Sequence, residues 1–350
     1  MEKKILNIAV VGVNSFGVRH MTGIQSLECA KLVAICDTDE KILKQRAEEF
    51  NMSAEDCYTD HRELLKREDI DIVTVATPDP VHKLITVDAL RAGKHVLCEK
   101  PMAMRLDDCK EMVKAQKETG MKLMVGQVGR YTPAFIEAKK LIDDGEIGDL
   151  FFVESEYAHD YSDLAGIGGW RMDPVELRQP VTGGGCHAVD LLRWIAGNPS
   201  EVFAYSNRKS LTDWPVDDCT VAIMKFPNNV IGKVLTSIGC KRDYTMRTVL
   251  YGTAGTIIMD NTSTHLTLYK NDINGDKMYR GQPVQLYQLK IPVNVNNHNV
   301  ASEIKDLCDA VLKDEPVKTD GVQGASTVAV CSAIVQSANT GEKVTVDYQF

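Results

Sequence analysis

The apolar positions follow two rhythms along the chain. In the first part, short and nearly unbroken apolar runs (Ile5 to Val11, Lys31 to Cys36, Asp71 to Ala76, His95 to Cys98, Met121 to Gly126) are separated by stretches with helical spacing, among them Asp39 to Phe50 and Leu106 to Glu118. Runs without polar alternation belong to strands covered on both faces, which predicts a parallel sheet with helical crossovers. Beyond about residue 126 the pattern changes. One helix, Pro133 to Asp144, precedes Leu150 to Tyr157, and hairpin-spaced segments follow: Cys219 to Phe226, the turn Pro227-Asn228-Asn229, Val230 to Ile238, Thr248 to Leu250, Thr256 to Met259 and Leu266 to Tyr269. Strands without intervening helices predict an antiparallel sheet. The expected fold is therefore an α/β domain over residues 1–126, then an α+β domain over 127–350 built on a large, mostly antiparallel open sheet.

The loops after the apolar runs carry the candidate chemistry. Gly12-Val13-Asn14-Ser15-Phe16-Gly17 follows the first run and opens a helix. The first glycine permits a tight turn, the last permits close helix packing, and the helix amino terminus attracts a pyrophosphate, which makes the first domain Rossmann-like. Asn14 replaces the middle glycine; it tolerates unusual backbone angles and adds a side-chain amide. Asp37 ends the second run, 37 − 17 = 20 residues beyond Gly17, where a carboxylate takes ribose hydroxyls. It would repel a 2′-phosphate, and the adjacent Thr38 and Asp39 supply no arginine to hold one, so NAD is expected and NADP less so. A helix-capping turn is the plain alternative for Asp37 taken alone. Thr77, Pro78 and His82 follow the third run, and Glu99-Lys100-Pro101 the fourth, at the same sheet edge as the glycine turn. The first three are expected to flank the cofactor and Lys100 to lie at its reactive end.

The densest polar and glycine-rich stretch lies between Tyr157 and Gly197. It contains Tyr157, His159, Trp170, Arg171 and Asp173, then Gly183-Gly184-Gly185-Cys186-His187-Ala188-Val189-Asp190. A helix from Cys186 to Ala196 places His187 in its first turn, where the helix dipole disfavours an imidazolium and leaves a ring able to accept a proton near neutral pH. Pairing with Asp190, three residues on, is the structural alternative.

Composition narrows the possibilities. With 350 residues, 44% hydrophobic and 25% charged, the chain has room for two cores. Ten cysteines are scattered without a C-x-x-C pair, which points to free thiols in a reducing cytoplasm and to no metal or disulfide framework. A net charge of −9 argues against a nucleic-acid surface. Lys3-Lys4 before the first apolar run imitates a short signal peptide, but Asn7 interrupts it and Gly12 follows directly. No segment approaches the roughly 20 apolar residues of a membrane span.

In this order and spacing, the chain resembles the Gfo/Idh/MocA family of nicotinamide-dependent oxidoreductases over nearly its whole length. The resemblance rests on Gly12 to Gly17, Ala76-Thr77-Pro78 with His82, Glu99-Lys100-Pro101, Gly145-Glu146-Ile147-Gly148, Trp170-Arg171 with Asp173-Pro174, Gly185-x-His187-x-x-Asp190, Gly252-Thr253-x-Gly255 and Ser337-Ala338-x-Thr340-Gly341. It implies bound NAD or NADP, held by the glycine turn, Asp37, Thr77, Pro78, His82, Glu99, Lys100 and Gln127, with Lys100 against the reacting hydroxyl and His187 as acid/base, or the two roles reversed. Tyr157, His159, Trp170, Arg171 and Asp173, with Lys100 and His187, are the expected sugar contacts. It also implies homodimers or homotetramers built by packing the open sheets. One position departs from the pattern: many polyol-oxidising members carry an aspartate four residues before the histidine, where this chain has Gly183, so orienting the imidazole falls to Asp173, Asp190, Lys100 or water. The expected function is hydride transfer between a secondary alcohol of a sugar, glycoside or cyclitol and the nicotinamide. The alternatives are glycoside cleavage through transient oxidation and elimination, and a non-catalytic NAD-dependent sugar sensor or assembly partner.

Overall fold

In a computed structural model, which describes residues 4–271, 277–279, 282–284, 286–295 and 298–350, the apolar runs of the first part form one parallel sheet. Its strands are β1 (Leu6–Val11), β2 (Ala30–Cys36), β3 (Cys57–Tyr58), β4 (Ile72–Val75), β5 (His95–Cys98) and β6 (Leu123–Val125), in the spatial order β3-β2-β1-β4-β5-β6. Helices α1 (Ser15–Gln25), α2 (Glu40–Phe50), α3 (His61–Leu64), α4 (His82–Arg91) and α5 (Leu106–Thr119) make the crossovers. Leu6, Ile8, Val10, Val73, Val96 and Leu97 are wholly buried, each stabilising the fold by about 1.5–3 kcal/mol relative to exposure. The strand order reverses between β1 and β4, and such a reversal opens a crevice at the carboxyl ends of the strands.

The chain divides into two compact units, and the division differs from a single cut at residue 126. The first unit comprises Met1–Gln127, Asn299–Ala329 and Tyr348–Phe350. Two contacts explain the return of the chain. Helix α9 (Val300–Lys313) packs on α1, so closely at Gly23 that a Cβ there would meet Ile304 at 3.2 Å and Ala301 at 3.4 Å. Thr319 then borders β6, accepting from the Val125 N–H at 2.7 Å and donating its hydroxyl to the Val125 carbonyl at 2.8 Å. Helix α10 (Gly321–Thr340) begins in the first unit and ends in the second.

The second unit, Val128–His298 with Val330–Asp347, holds the large sheet. Its elements are α6 (Pro133–Asp143), β7 (Leu150–Ala158), α7 (Pro180–Gly183), α8 (Cys186–Ala196), β8 (Glu201–Asn207), β9 (Cys219–Lys225), β10 (Ile231–Ser237), β11 (Thr248–Gly252), β12 (Gly255–Met259), β13 (His265–Asn271), β14 (Lys277–Tyr279), β15 (Gln282–Val284), β16 (Leu286–Pro292) and β17 (Val344–Thr345). Nine strands run β16-β13-β12-β11-β7-β10-β9-β8-β17, and β14 pairs only with β15. Every neighbouring pair is antiparallel except β7 with β10. Burial alternates cleanly along β9, where Thr220, Ala222 and Met224 point inward and Val221, Ile223 and Lys225 outward. Helix α8 covers the inner face over β7 and β10, which sets inward-facing Tyr157 beneath it.

Candidate active site

The first unit assembles a dinucleotide turn at the strand-order reversal. Gly12 has φ +88°, and a Cβ on it would lie 2.7–2.8 Å from the Ala76 carbonyl group and the Thr77 nitrogen; one on Gly17 would lie 1.9 Å from the Gly12 oxygen. Glycine is required at both, by conformation at the first and by close approach at the second. Asn14 is the N-cap of α1, its side chain accepting from the Ser15 N–H at 2.8 Å, and no acidic residue occupies the helix's first turn. That end is therefore open to an anion. Asp37 does not cap α2; Asp39 does, accepting from Lys41 and Ile42. Asp37 instead accepts from the Val13 N–H and the Asp39 N–H, both at 3.0 Å, which fixes its carboxylate beside the turn. An arginine does approach here, contrary to expectation: Arg46 of α2 donates to the Val13 carbonyl at 3.1 Å and pairs with Glu49.

His82, expected to flank the cofactor, is engaged with main chain at both ring nitrogens. It is wholly buried, with Nδ1 2.9 Å from the Pro101 oxygen and Nε2 2.9 Å from the Thr77 oxygen. Two carbonyls can only accept, so both ring nitrogens carry hydrogen and the ring is an imidazolium. Burial opposes that charge, but Cys98, Asp79 and the Pro101 carbonyl outweigh it and raise its pKa to about 10. With both nitrogens spent on main chain, His82 braces the loops that carry Thr77 and Lys100. Thr77 itself has a buried hydroxyl with no partner, as does the Oε1 of Gln127. Orphaned polar atoms at the carboxyl ends of a parallel sheet's strands fit a bound dinucleotide.

Lys100 follows β5, half-buried, and its ammonium makes no hydrogen bond or ion pair among the described residues. It lies 6.0 Å from the centre of the Phe16 ring, which joins it to the glycine turn. The peptide to Pro101 is cis. Glu99 is buried and accepts from His20 of α1, Nε2 to Oε1, at 2.9 Å and from the Lys100 N–H at 3.2 Å. Burial raises its proton affinity, yet the His20 bond, with Lys100 adding to it, wins and lowers its pKa. Sequence reasoning missed His20 and Glu303, both wholly buried in this unit. A signal existed, since each stands on the apolar stripe of an amphipathic helix: His20 with Ile24, and Glu303 with Val300 and Leu307.

In the second unit, His187 lies in the first turn of α8, after Gly184 and Gly185 pack against Tyr157 of β7 and Thr236 of β10. Its ring stacks on Tyr157 with centroids 6.2 Å apart and meets His298 edge-on at 6.1 Å. The Tyr157 hydroxyl is 2.8 Å from that of Tyr161 and 3.4 Å from Nδ1 of His159, and Tyr244 packs on both Tyr157 and His159 at 5.3 Å. Burial, reinforced by Tyr161 and Tyr244, pushes the Tyr157 phenol well above its ordinary range, so it stays protonated. Asp190 is no simple partner for His187: Arg130 grips its carboxylate at 2.8 and 2.7 Å, and Arg193 lies 3.4 Å away. Asp173 accepts from the Val175 and Glu176 N–H groups and so closes a local turn.

The space at Gly183 is filled by an unforeseen residue. A Cβ there would lie 2.0–2.6 Å from the guanidinium of Arg178, which is only 6% exposed. That guanidinium lies 5.0 Å from the Trp170 ring centre, and Arg171 lies 5.2 Å from the same ring. Where an acidic side chain was expected to be missing, a cation stands. The structure thus groups Tyr157, His159 and His187, joins Trp170 and Arg171 to them through Tyr161, whose ring centre lies 5.8 Å from the Arg171 guanidinium, and adds Arg178, Tyr244 and His298. Among the described residues no cluster suits a metal ion, and no helix is long and apolar enough to cross a membrane.

Residues 6–127 match the family described as "Oxidoreductase family, NAD-binding Rossmann fold", and residues 135–258 match the "GFO/IDH/MocA C-terminal domain". Among relatives, "Inositol 2-dehydrogenase 2" of Saccharopolyspora erythraea is 29% identical over 271 residues, 76% of each chain. "1,5-anhydro-D-fructose reductase" of Ensifer adhaerens is 28% identical over 299 residues, 83% of this chain and 84% of that one. Among solved structures, levoglucosan dehydrogenase in complex with NADH and levoglucosan superposes with a TM-score of 0.87 at 24% identity, covering 99% of this chain and 100% of that one. The two matches together cover more than half of the chain: this chain belongs to the Gfo/Idh/MocA family of NAD-binding oxidoreductases.

Proposed function

We propose that the protein is an NAD-dependent dehydrogenase that oxidises a secondary alcohol of a sugar, glycoside or cyclitol to a ketone, or runs the reverse. The observation that carries this reading is Lys100: a half-buried ammonium without a hydrogen-bond partner, beside the ring of Phe16 and after a glutamate held by His20. Such a cation is placed to stabilise alkoxide character on a reacting oxygen. When bound, NAD supplies the hydride acceptor. The glycine turn holds its pyrophosphate, Asp37 its ribose, and Thr77 and Gln127 give their unpartnered polar atoms to it. His187 takes the hydroxyl proton, while Tyr157, fixed as a phenol by its surroundings, donates a hydrogen bond rather than acting as a base. His159, Trp170, Arg171 and Asp173 hold further hydroxyls. The named activities of the relatives, on inositol and anhydro-sugars, support this substrate class.

The test is to incubate the protein and NAD⁺ with a panel of sugars, glycosides and inositols, following NADH and products together. A ketone formed with equimolar NADH supports the reading. Cleaved glycoside without NADH favours the internal redox cycle, and silence across the panel favours a sensor. Lys100→Ala should lower turnover by about 10²–10³, the scale for losing one transition-state donor, with NAD affinity within a few-fold; undiminished turnover sinks the assignment.

A further inference from the structure

Glu303 is wholly buried on α9, and neither of its carboxyl oxygens has a hydrogen-bond partner among the described residues. Helix α9 packs against α1 and β5. On α1, Gly23 touches Ala301 and Ile304, and one turn earlier His20 bonds Glu99 at 2.9 Å. Two carboxyl groups therefore share a dry region next to a single ammonium, and they are treated unequally. Glu99 accepts from His20 and from the Lys100 N–H, whereas Glu303 accepts from nothing. A bare buried carboxylate costs several kcal/mol, and a like charge nearby adds to that cost.

We propose that Glu303 is an uncharged carboxylic acid and a positioning residue for Lys100, forming with Glu99 and His20 a set that holds one negative charge and one reserve proton beside the ammonium. The opposite displacements of the two acids agree with this. Burial, then the Glu99 charge, lift Glu303 well above the carboxylate range against the pull of Lys100, whereas the His20 bond lowers Glu99. Carboxyl groups pushed apart in this way divide into an acid and an anion. The charged groups acting on Glu303 are Glu99 and Lys100 from the end of β5, while His20 of α1 is engaged with Glu99 and Arg19 lies over Phe16. On α9 itself Lys305 pairs with Asp309, and Asp306 with Lys318.

The inference rests on Lys100 being the working lysine, and its test separates the two. In ligand-free protein labelled with ¹³C at the glutamate carboxyls, the signal missing from Glu303→Gln should titrate well above the other glutamates. Lys100→Met should move that midpoint further up, and Glu99→Gln should move it down, each by about one pH unit or more, the shift a neighbouring charge produces. A midpoint among the ordinary glutamates, or one indifferent to both substitutions, overturns the proposal whether or not the protein proves to be a dehydrogenase. With a substrate in hand, Glu303→Gln should remove the limb of the pH–kcat profile centred on that midpoint. An equal loss of kcat at every pH would instead mark a packing role and overturn it as well.

Discussion

At the residue scale, coenzyme choice turns on Asp37. Both carboxylate oxygens are bound by N–H groups of Val13 and Asp39, so the charge is fixed beside the turn. A 2′-phosphate there would meet an anion it cannot displace, although Arg46, engaged with Glu49, lies within reach of the same turn. Asp37→Ala should cost about 1–2 kcal/mol of stability through the orphaned N–H groups and raise the NADP⁺/NAD⁺ ratio of kcat/KM about tenfold or more, since 1.4 kcal/mol of relieved repulsion is a factor of ten. A wild type that already favours NADP⁺ would refute the argument. This residue was legible because its role depends on spacing along one βαβ unit. Arg178 was not legible, because a guanidinium folded onto Gly183 is a tertiary fact that no local pattern encodes. Glu303 lies between: its place on an apolar stripe is visible in the sequence, but its neighbours Glu99 and Lys100 appear only once α9 is packed on α1.

At the scale of elements, the loops after β4 and β5 depend on one histidine. His82 donates to the carbonyls of Thr77 and Pro101, and its pKa is raised to about 10 from the ordinary 6.5. A folded-state value above the unfolded one means that the stabilisation is full below about pH 6.5 and disappears as the pH rises through about 10. Thermal midpoints should therefore fall over that interval. His82→Gln, which keeps one donor and cannot titrate, should be about 1–3 kcal/mol less stable at pH 6 and show a flatter decline; parallel slopes would show that the ring is not charged in the folded protein. The sequence pattern located β1, β2, β4, β5 and β6 and most of the meander because unbroken and alternating apolar runs are local signals. It gave no warning that α9 and Thr319 return to the first unit, since an amphipathic helix does not name the surface it covers.

At the scale of the whole molecule, the outer face of the nine-stranded sheet is the open question. Register places Phe203 opposite Ile223 and Tyr205 opposite Val221, all on the face away from α8. Tyr205 is 70%, Ile223 60% and Ile231 52% exposed, and Tyr251 adds to the same face. The ion pair of Lys233 with Glu154, which also meets Arg247, crosses the same face between the strands of Ile223 and Tyr251, and Glu156 pairs with Arg242. Exposed apolar side chains of this size, with ion pairs among them, are a liability on the sheet of an isolated chain. In the homodimer or homotetramer that the resemblance implies, a second copy would cover it face to face, the ion pairs fixing the register in which the sheets meet. Light scattering after size exclusion should then report a dimer or a multiple of it. Tyr205→Glu together with Ile223→Lys should shift the population to monomer while the circular dichroism of the protein is unchanged, because neither side chain contributes to the inner core. A wild type that is monomeric at micromolar concentration would remove the argument, and so would a double variant that keeps its assembly, since two charges buried without partners at the centre of an interface cost several kcal/mol.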